Sequence, residues 1–361
     1  MILNITDKLI DNRSNINDFY VFFENIMIAY KESKHIICIS PKKVIELIED
    51  DNISSSIREL MKHYKSHSKS YNLKNLKNFF NLIINIVENE EKLYVDDDVE
   101  YRDISYSKFL DTSSIQKTIL LGENIDDIPV YEVFVKYYQS KNSLNSFNIF
   151  YNKRGGGGNT ISREYETIYS EGENFCLCLL DSDKRYPSQT NYGDTAQNVV
   201  DLDKKYKKRD NLNYKIGYYI LKVLELENCL PKDFYLRQYV DKNHVFYEID
   251  KIMQKDNSFR KYFDFKDGIS CKAKFDDIKN NIECKAHLRD YLCPIIEKQN
   301  IFRDGVLLEG FSSKILKDFI KFDINDLMNF IDNDSFVQCY CTDIGKYISS
   351  HILVPQTLRA V

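Results

Sequence analysis

The chain has 361 residues, of which 43% are apolar and 29% are charged, and its formal net charge is −5. This length allows two or three hydrophobic cores, and the composition is that of a globular protein. The negative net charge excludes a protein that binds nucleic acid through an overall positive potential. Bound metal ions can still supply positive charge locally.

The cysteines and the apolar runs predict a cytoplasmic protein. Nine cysteines without a CxxC pair indicate reduced thiols. Residues 1–7 lack the basic start and the apolar core of a secretory signal. No apolar run approaches the roughly 18 residues that a membrane-spanning helix needs, so we expect no membrane association.

Residues 1–115 predict a mainly helical region that ends in a linker. Ser40 precedes Pro41, and this pair is typical of the first turn of a helix. The run at 36–39 favours a short buried strand as an alternative to helix. An acidic stretch at 96–100 interrupts the apolar periodicity, which predicts a linker near residues 93–115. A further helix is predicted by apolar residues at helical spacing, namely Leu73, Leu76, Phe80, Ile83 and Val87.

Residues 116–235 alternate between strand and helix patterns. Such alternation predicts crossover connections and a parallel sheet, so the fold class is α/β. After this domain, residues 236–361 predict a mainly helical C-terminal region, in which Leu316, Phe319 and Ile320 share one apolar face. The predicted strands of the middle domain are 117–123, 147–151, 174–180 and 214–223, and its predicted helices are 129–139 and 162–169.

Four acidic residues stand where two of these strands end. Glu123 follows an apolar run and a glycine, and Asp127 comes four residues later, where a helix begins. Asp181 and Asp183 follow six apolar residues, and in extended chain their side chains face the same way. Because ligand sites of open α/β sheets lie at the carboxyl ends of the strands, we expect these carboxylates to converge on Mg²⁺ or Mn²⁺. The alternatives are a helix cap at Asp126 or Asp127 and an Asx turn after residue 180.

Four consecutive glycines, Gly155–Gly158, lie between a predicted strand and a predicted helix. Since each glycine costs backbone entropy, the run needs a reason. A loop that brings its backbone close to phosphate suits this position better than a flexible linker. No Gly-Lys-Ser/Thr follows, so the run is not the P-loop of an ATPase.

These motifs resemble the TOPRIM domain of topoisomerases, primases and OLD (overcoming lysogenization defect) nucleases. The segment 120–127, Leu-Leu-Gly-Glu-Asn-Ile-Asp-Asp, is similar to the first TOPRIM motif, and 180–183, Leu-Asp-Ser-Asp, is similar to its Asp-x-Asp motif. The segment 226–231, Leu-Glu-Asn-Cys-Leu-Pro, resembles a segment that OLD-type nucleases carry after the next strand. The resemblance covers about residues 117–235, with Asn124 and Cys229 departing from the family pattern.

The resemblance implies a TOPRIM-like catalytic domain and a metal-dependent endonuclease acting on nucleic acid, with DNA favoured over RNA. It also implies an antiviral (anti-phage) defence effector that works with a separate ABC-type ATPase subunit and can form oligomers. The implied metal ligands are Glu123, Asp127, Asp181, Asp183 and Glu227, although Glu227 taken on its own is equally consistent with a cap or a salt bridge. The candidate catalytic residues are Glu123, Asp181, Asp183 and Lys184, and Arg185 and Lys222 are further candidates for a positive charge beside the leaving group.

Basic residues around the predicted site are candidates for contacts with a nucleic acid backbone. The densest run, at 204–209, lies between the third and fourth predicted strands, which favours a position beside the active face; a solvated loop is the alternative. The candidates are Lys153, Arg154, Arg185, Lys204, Lys205, Lys207, Lys208 and Arg209. A non-catalytic docking module and a primase or topoisomerase fragment are the competing hypotheses for the whole chain.

Overall fold

The first 105 residues form a five-stranded sheet, here called the N-terminal sheet. In the computed structural model, which describes residues 1–187, 189–207, 213–254, 257–270 and 306–356, its strand order is β2-β1-β3-β5-β4. All neighbours are parallel except β4 and β5, which form an antiparallel hairpin. The strands are β1 (Ile2–Ile5), β2 (Ile36–Cys38), β3 (Leu82–Val87), β4 (Lys92–Asp96) and β5 (Val99–Ser105).

The sequence predicted a mainly helical region for these residues and missed the sheet, so this prediction was wrong. The supposed long helix from Leu73 ends at Leu76, and Leu82–Val87 is a strand. Five of the six strand residues are buried, and periodicity alone cannot distinguish such a run from a buried helix. The helices of this region are α1 (Asp7–Asp11), α2 (Phe19–Lys31), α3 (Pro41–Ile48), α4 (Ser55–His67) and α5 (Leu73–Leu76).

The predicted linker at 93–115 was also wrong, because this segment contains β4, β5 and two 3₁₀ turns. The acidic residues that suggested a linker make the hairpin turn instead. Asp97 and Asp98 have φ angles of 48° and 61°, the left-handed conformations that a two-residue hairpin turn needs and that Asp tolerates. The short strand proposed at 36–39 and the helix that begins at Pro41 are both present.

The second sheet carries the candidate site and has four parallel strands in the order β10-β9-β6-β8. This result confirms the α/β class. Its strands are β6 (Ile119–Gly122), β8 (Asn152–Gly155), β9 (Cys176–Leu180) and β10 (Ile216–Ile220), and its helices are α6 (Ile128–Lys141), α7 (Ile161–Glu171) and α8 (Asp194–Lys207).

One predicted strand of this domain is two strands with different partners. The predicted strand 147–151 splits into β7 (Phe147–Ile149), which pairs with a C-terminal strand, and β8, which pairs with β6. Strand β8 has the sequence Asn-Lys-Arg-Gly and lies exposed at the edge of the sheet. An exposed edge strand lacks the apolar alternation that marks a half-buried strand in a sequence, so this strand was missed.

The described part of the C-terminal region is mainly helical, as predicted. None of the helices in the described ranges is long and apolar enough to span a membrane. Its elements are α9 (Lys232–Gln238), α10 (Asn243–Met253), α11 (Phe259–Tyr262), β11 (Gly268–Ser270), β12 (Val306–Glu309), α12 (Ile315–Phe319), α13 (Ile324–Asp332), α14 (Ser335–Ile352) and β13 (Leu353–Pro355). Strand β13 pairs with β7.

The two sheets share one layer of helices. Helices α6 and α14 pack against each other, and their core includes Ile2 and Ile83 of the N-terminal sheet together with Leu177 of the second sheet. Because side chains alternate along a strand, the neighbouring residues Cys176 and Cys178 face a separate core beneath α7. The second sheet is thus covered on both faces, and its edge at the carboxyl ends of the strands lies open.

Candidate functional site

Acidic residues from three neighbouring strands meet at the carboxyl edge of the second sheet. Glu123 follows β6, Asp181 follows β9, and Glu225 and Glu227 follow β10. Since these strands are parallel and adjacent, their carboxyl ends lie side by side. An open cavity of about 580 Å³ lies at this edge and is lined by Glu123, Asn124, Ile125, Asp127, Gly155, Gly157, Gly158, Asp181 and Lys266.

Hydrogen bonds connect the three strand ends directly. The backbone N–H of Asp181 donates to Glu123 Oε1 at 2.9 Å. The carboxylate of Asp181 in turn accepts from the backbone N–H of Leu226, at 3.0 Å from Oδ1. The predicted convergence of Glu123 and Asp181 is therefore present, and each carboxylate uses one oxygen to hold the next strand end in place.

Asp127 reaches the cavity from the start of α6. It is the N-cap residue of that helix, and its Oδ2 accepts from the backbone N–H of Asn124 at 3.0 Å. The side chain also lines the cavity beside Glu123. Asp127 thus stands at the N-cap position, but its side chain makes no capping hydrogen bond to the helix; it bonds to the preceding turn and presents a carboxylate to the site.

Burial and mutual repulsion make this group of carboxylates hard to ionise. Burial, reinforced by the charges of Asp183 and Asp127, raises the pKa of Glu123 to about 7. Burial likewise raises the pKa of Asp127 to about 6 and that of Glu225 to about 7. The pKa of Asp181 lies well above its ordinary value because of burial and the charge of Glu123. Such a group gains stability from a cation, because opposite charge favours the ionised forms.

Lys266 supplies one positive charge within this group. Its Nζ lies 3.3 Å from Glu225 Oε2 and 3.0 Å from Glu227 Oε1. Burial alone would lower the pKa of Lys266, but the carboxylates of Glu227 and Glu225 outweigh it, and the pKa is raised. Glu227, predicted as a metal ligand, is therefore a partner of Lys266, with its side chain 2% exposed.

Asp183 lies close to the site but does not line the cavity. Its φ of 51° places it in the left-handed region, so the chain turns there and the extended geometry assumed for Asp181 and Asp183 was wrong. A Cβ added at Gly193 would overlap Asp183 Oδ2, so only glycine leaves room for this carboxylate. Burial raises the pKa of Asp183, while the positive charge of Arg185 opposes that rise.

The glycine run forms the wall of the cavity beside β6. Gly157 and Gly158 have φ angles of 66° and 63°, in the left-handed region that glycine adopts without strain. The backbone N–H of Gly158 donates to the carbonyl oxygen of Glu123 at 3.0 Å. A Cβ at Gly156 would overlap Ile161, the first residue of α7. The run is thus a fixed loop that brings backbone to the site, in agreement with the interpretation preferred from the sequence.

The predicted catalytic lysine, Lys184, is not among the residues that line the cavity. Its Nζ lies 4.3 Å from the centre of the Tyr192 ring. Lys222, a further candidate, is paired with Asp343 at 2.9 Å. The lysine that lines the cavity is Lys266, where the sequence suggested Lys184 or Lys222.

Two other basic candidates lie along the exposed edge strand of the second sheet. Lys153 and Arg154 belong to β8, next to β6, and Arg154 lies 3.9 Å from Glu164 of α7. Arg185 lies near the carboxyl edge, where its charge acts on Asp183. A nucleic acid contact for these residues stays a prediction.

The described part of the basic run, residues 204–207, lies toward the far end of α8 from the carboxyl edge, so its predicted position beside the active face was wrong. Helix α8 starts at Asp194 beside the site and runs for 14 residues, which is about 20 Å, before Lys207. At that far end the Tyr206 ring stacks on Tyr169 of α7 at 4.2 Å, and Lys204 lies 3.5 Å from Asp201. Lys208 and Arg209 lie outside the described residues.

The carboxylate oxygens of the site are the ligand type that a hard divalent ion prefers, but their positions in this structure do not form a ligand shell. Among the described residues, no three His, Cys, Asp or Glu side chains are grouped closely enough to hold a metal ion. The acids instead bond to backbone N–H groups, as Glu123 and Asp127 do, or to Lys266. The bonds of Glu123 and Asp127 to backbone N–H groups each involve one carboxylate oxygen, so binding of a cation at these residues requires their side chains to move.

Two members of the site could not be assigned from the sequence, and each for a different reason. Glu225 had a weak signal, since it stands two residues before Glu227 at the end of a predicted strand. Lys266 had none, because it lies about 40 residues further along the chain, between α11 and β11. Its position depends on the tertiary packing of the C-terminal region.

No protein-family model, curated protein or solved structure matches this chain. The resemblance to the TOPRIM domain therefore stays a prediction that rests on the motifs described above.

Proposed function

We propose that this chain is a divalent-metal-dependent nuclease that hydrolyses phosphodiester bonds of nucleic acid, with DNA as the favoured substrate. The observation that carries the proposal is the meeting of Glu123, Asp127 and Asp181 with Lys266 around one open cavity. Such a combination of buried carboxylates and one ammonium suits a site that binds a cation and a phosphate together.

Glu123, Asp127 and Asp181 are the residues that would hold Mg²⁺ or Mn²⁺. The ion would lower the pKa of a water molecule and stabilise negative charge on the reacting phosphate. Asp183, near Glu123 but outside the cavity lining, is a positioning residue in this proposal.

The remaining roles belong to groups of the chain itself. Glu123 lines the cavity and can also relay a proton from the attacking water. Lys266 presents an ammonium to the cavity, where it stabilises charge that develops on phosphate oxygens. The left-handed glycines leave one wall of the cavity as bare backbone, which permits close approach of a sugar-phosphate chain.

A test of this function is incubation of the purified protein with plasmid, single-stranded DNA and RNA, in Mg²⁺, Mn²⁺ or EDTA. We expect cleavage with either ion and none in EDTA. Cleavage that persists in Asp181→Asn, or that ignores EDTA, would point to a contaminating enzyme or a different site. Cleavage of RNA alone would correct the substrate and leave the chemistry standing.

The proposed setting is anti-phage defence in the cytoplasm, with a separate ABC-type ATPase as partner, and it rests on the family resemblance. Co-expression with a neighbouring ATPase, where the genome encodes one, tests it by co-purification and by ATP-dependent cleavage. A chain that cleaves fully alone and binds no ATPase would remove this part of the proposal.

A non-catalytic docking module is the second candidate. The specific observation in its favour is that no three acidic side chains among the described residues are already arranged for a metal ion. Tight binding of DNA or RNA without cleavage under any divalent ion would support this alternative.

A further inference from the structure

We propose that Lys266 fills the second cation position of this site, so that the protein takes one divalent ion and not two. This inference rests on the proposed function, because it concerns the same carboxylates. It goes further than that function by assigning a residue of the chain to one of two cation positions.

Strand order divides the carboxylates into two groups that share Asp181. Strand β9 lies between β6 and β10, so Asp181 lies between the acids that follow the two neighbouring strands. On the β6 side are Glu123 and Asp127, and on the β10 side are Glu225 and Glu227. Each group of carboxylates can stabilise one cation, and the two groups have Asp181 in common.

The position on the β10 side already holds a cation. The Lys266 ammonium lies 3.0 Å from Glu227 Oε1 and 3.3 Å from Glu225 Oε2. Glu227 is 2% exposed, and its other oxygen, Oε2, has no hydrogen-bond partner. A carboxylate this deeply buried needs a positive charge beside it, and Lys266 provides that charge.

The backbone on which Lys266 stands is held in place through the neighbouring residue Phe265. The preceding residue, Phe265, is fully buried, and its ring stacks on Tyr235 at 4.8 Å. The backbone N–H of Phe311 donates to the carbonyl oxygen of Phe265 at 2.7 Å. An ion ligated by Glu225 and Glu227 would lie within a few ångströms of the Lys266 ammonium that pairs with them, and the two positive charges would repel each other.

Within the described ranges, the position on the β6 side has no such internal cation. Among the described residues, the ammonium of Lys266 pairs with Glu225 and Glu227 and not with Glu123 or Asp127, although Glu123, Asp127 and Lys266 all line the cavity. The groups bonded to these carboxylates are neutral backbone N–H groups. A divalent ion would therefore gain the most electrostatic stabilisation at this position.

Mn²⁺ titration of the full-length protein by calorimetry, without nucleic acid, tests the inference. We expect one Mn²⁺ per wild-type chain, one in Lys266→Arg, and two in Lys266→Met, because the methionine removes the charge and keeps most of the volume. Adding Glu227→Gln to Lys266→Met should return the number to one. Lys321→Met, an exposed lysine paired with Asp318, is the matched control and should bind one.

The outcomes separate the inference from the proposed function. Two ions in the wild type, or one ion in a folded Lys266→Met, would overturn the inference and leave a metal-dependent nuclease possible. No ion in the wild type would instead remove the basis of the proposed function. If Lys266→Met does not fold, Glu227→Gln in the wild-type background decides: one ion retained supports the inference, and loss of that ion overturns it.

Discussion

Both sheets of this protein are α/β sheets built mainly of parallel strands, and they treat buried acidic residues in opposite ways. In the N-terminal sheet, Asp103 is 6% exposed, yet its Oδ1 accepts from Asn85 at 2.9 Å and its Oδ2 lies 3.5 Å from Lys92. In the second sheet several carboxylates share a single lysine. A buried carboxylate that has its own partners plays a structural role. A group of buried carboxylates with too few partners indicates a cation-binding site.

The N-terminal sheet also shows how a polar row can be fully satisfied. Asn4 donates to Asn85 at 2.8 Å, and Asn85 donates to Asp103 and, at 3.2 Å, to Tyr94. These residues stand opposite one another in the strand register. Burial of an acidic residue in a sheet is therefore insufficient to identify a catalytic acid, and the partners of the carboxylate decide.

The largest expected difference between the sheets is in activity. Asp181→Asn should lower cleavage by on the order of 100-fold or more, since it removes a charge that both halves of the site share. Asp103→Asn, the matched change in the N-terminal sheet, keeps an oxygen that accepts from Asn85 and should leave cleavage within about twofold. Rates on plasmid DNA at fixed Mg²⁺ measure both. Equal losses in the two variants would contradict the division of roles.

The second difference is in the response to pH and metal. In the metal-free protein the raised pKa values of Glu123 and Glu225, about 7, mean that folding favours their protonated forms. Their contribution to stability is then complete below the ordinary carboxyl pKa and is lost as the pH rises to about 7. A divalent ion favours the ionised forms, so Mn²⁺ should raise the melting temperature more at pH 8 than at pH 5.

Melting curves in EDTA and in Mn²⁺ at both pH values measure this effect, with Asp181→Asn as the control. The variant should show little stabilisation by Mn²⁺ at either pH. Stabilisation of equal size at pH 5 and pH 8 in the wild type would show that the ion binds to other groups.

A smaller effect is expected from the glycine that makes room for Asp183. Gly193→Ala should lower cleavage roughly 10-fold, because the added methyl group displaces the Asp183 carboxylate. Combining it with Asp183→Asn should cost no more than Asp183→Asn alone, since both changes act on one carboxylate. Additive losses measured in the double variant would mean that Gly193 acts in another way.

The smallest effect should come from the far end of α8. Lys204→Ala with Lys205→Ala should change DNA affinity by no more than about twofold, because this end of the helix lies about 20 Å from the site. Arg185→Ala, near Asp183, should weaken binding more and reduce its salt dependence. Binding measured across salt concentrations compares the two. A larger loss at Lys204 and Lys205 would move the nucleic acid path to that end of the sheet.

The sequence predicted the second domain better than the first for a physical reason. Strands β6 and β9 are fully buried apolar runs closed by an acid, and that combination has few other interpretations. In the N-terminal region the buried strand Leu82–Val87 follows a short helix without a strong turn signal, so the two merged into one predicted helix.

The site was predictable only as far as local chain positions decide it. Glu123, Asp127 and Asp181 follow from strand ends and sheet order. The turn at Asp183 depends on a left-handed residue that no glycine marks. The pairing of Glu227 depends on Lys266, whose distance along the chain leaves no local pattern to recognise.

The most direct test of the account is a crystal structure of the protein soaked in Mn²⁺, with the ion located by its anomalous scattering. We expect a single peak in the cavity, with oxygens of Glu123 and Asp181 at about 2.0–2.3 Å and Lys266 still paired with Glu227. A cavity without a peak at saturating Mn²⁺, or an ion bound only at other residues, would contradict the central claim that these strand ends form a metal site.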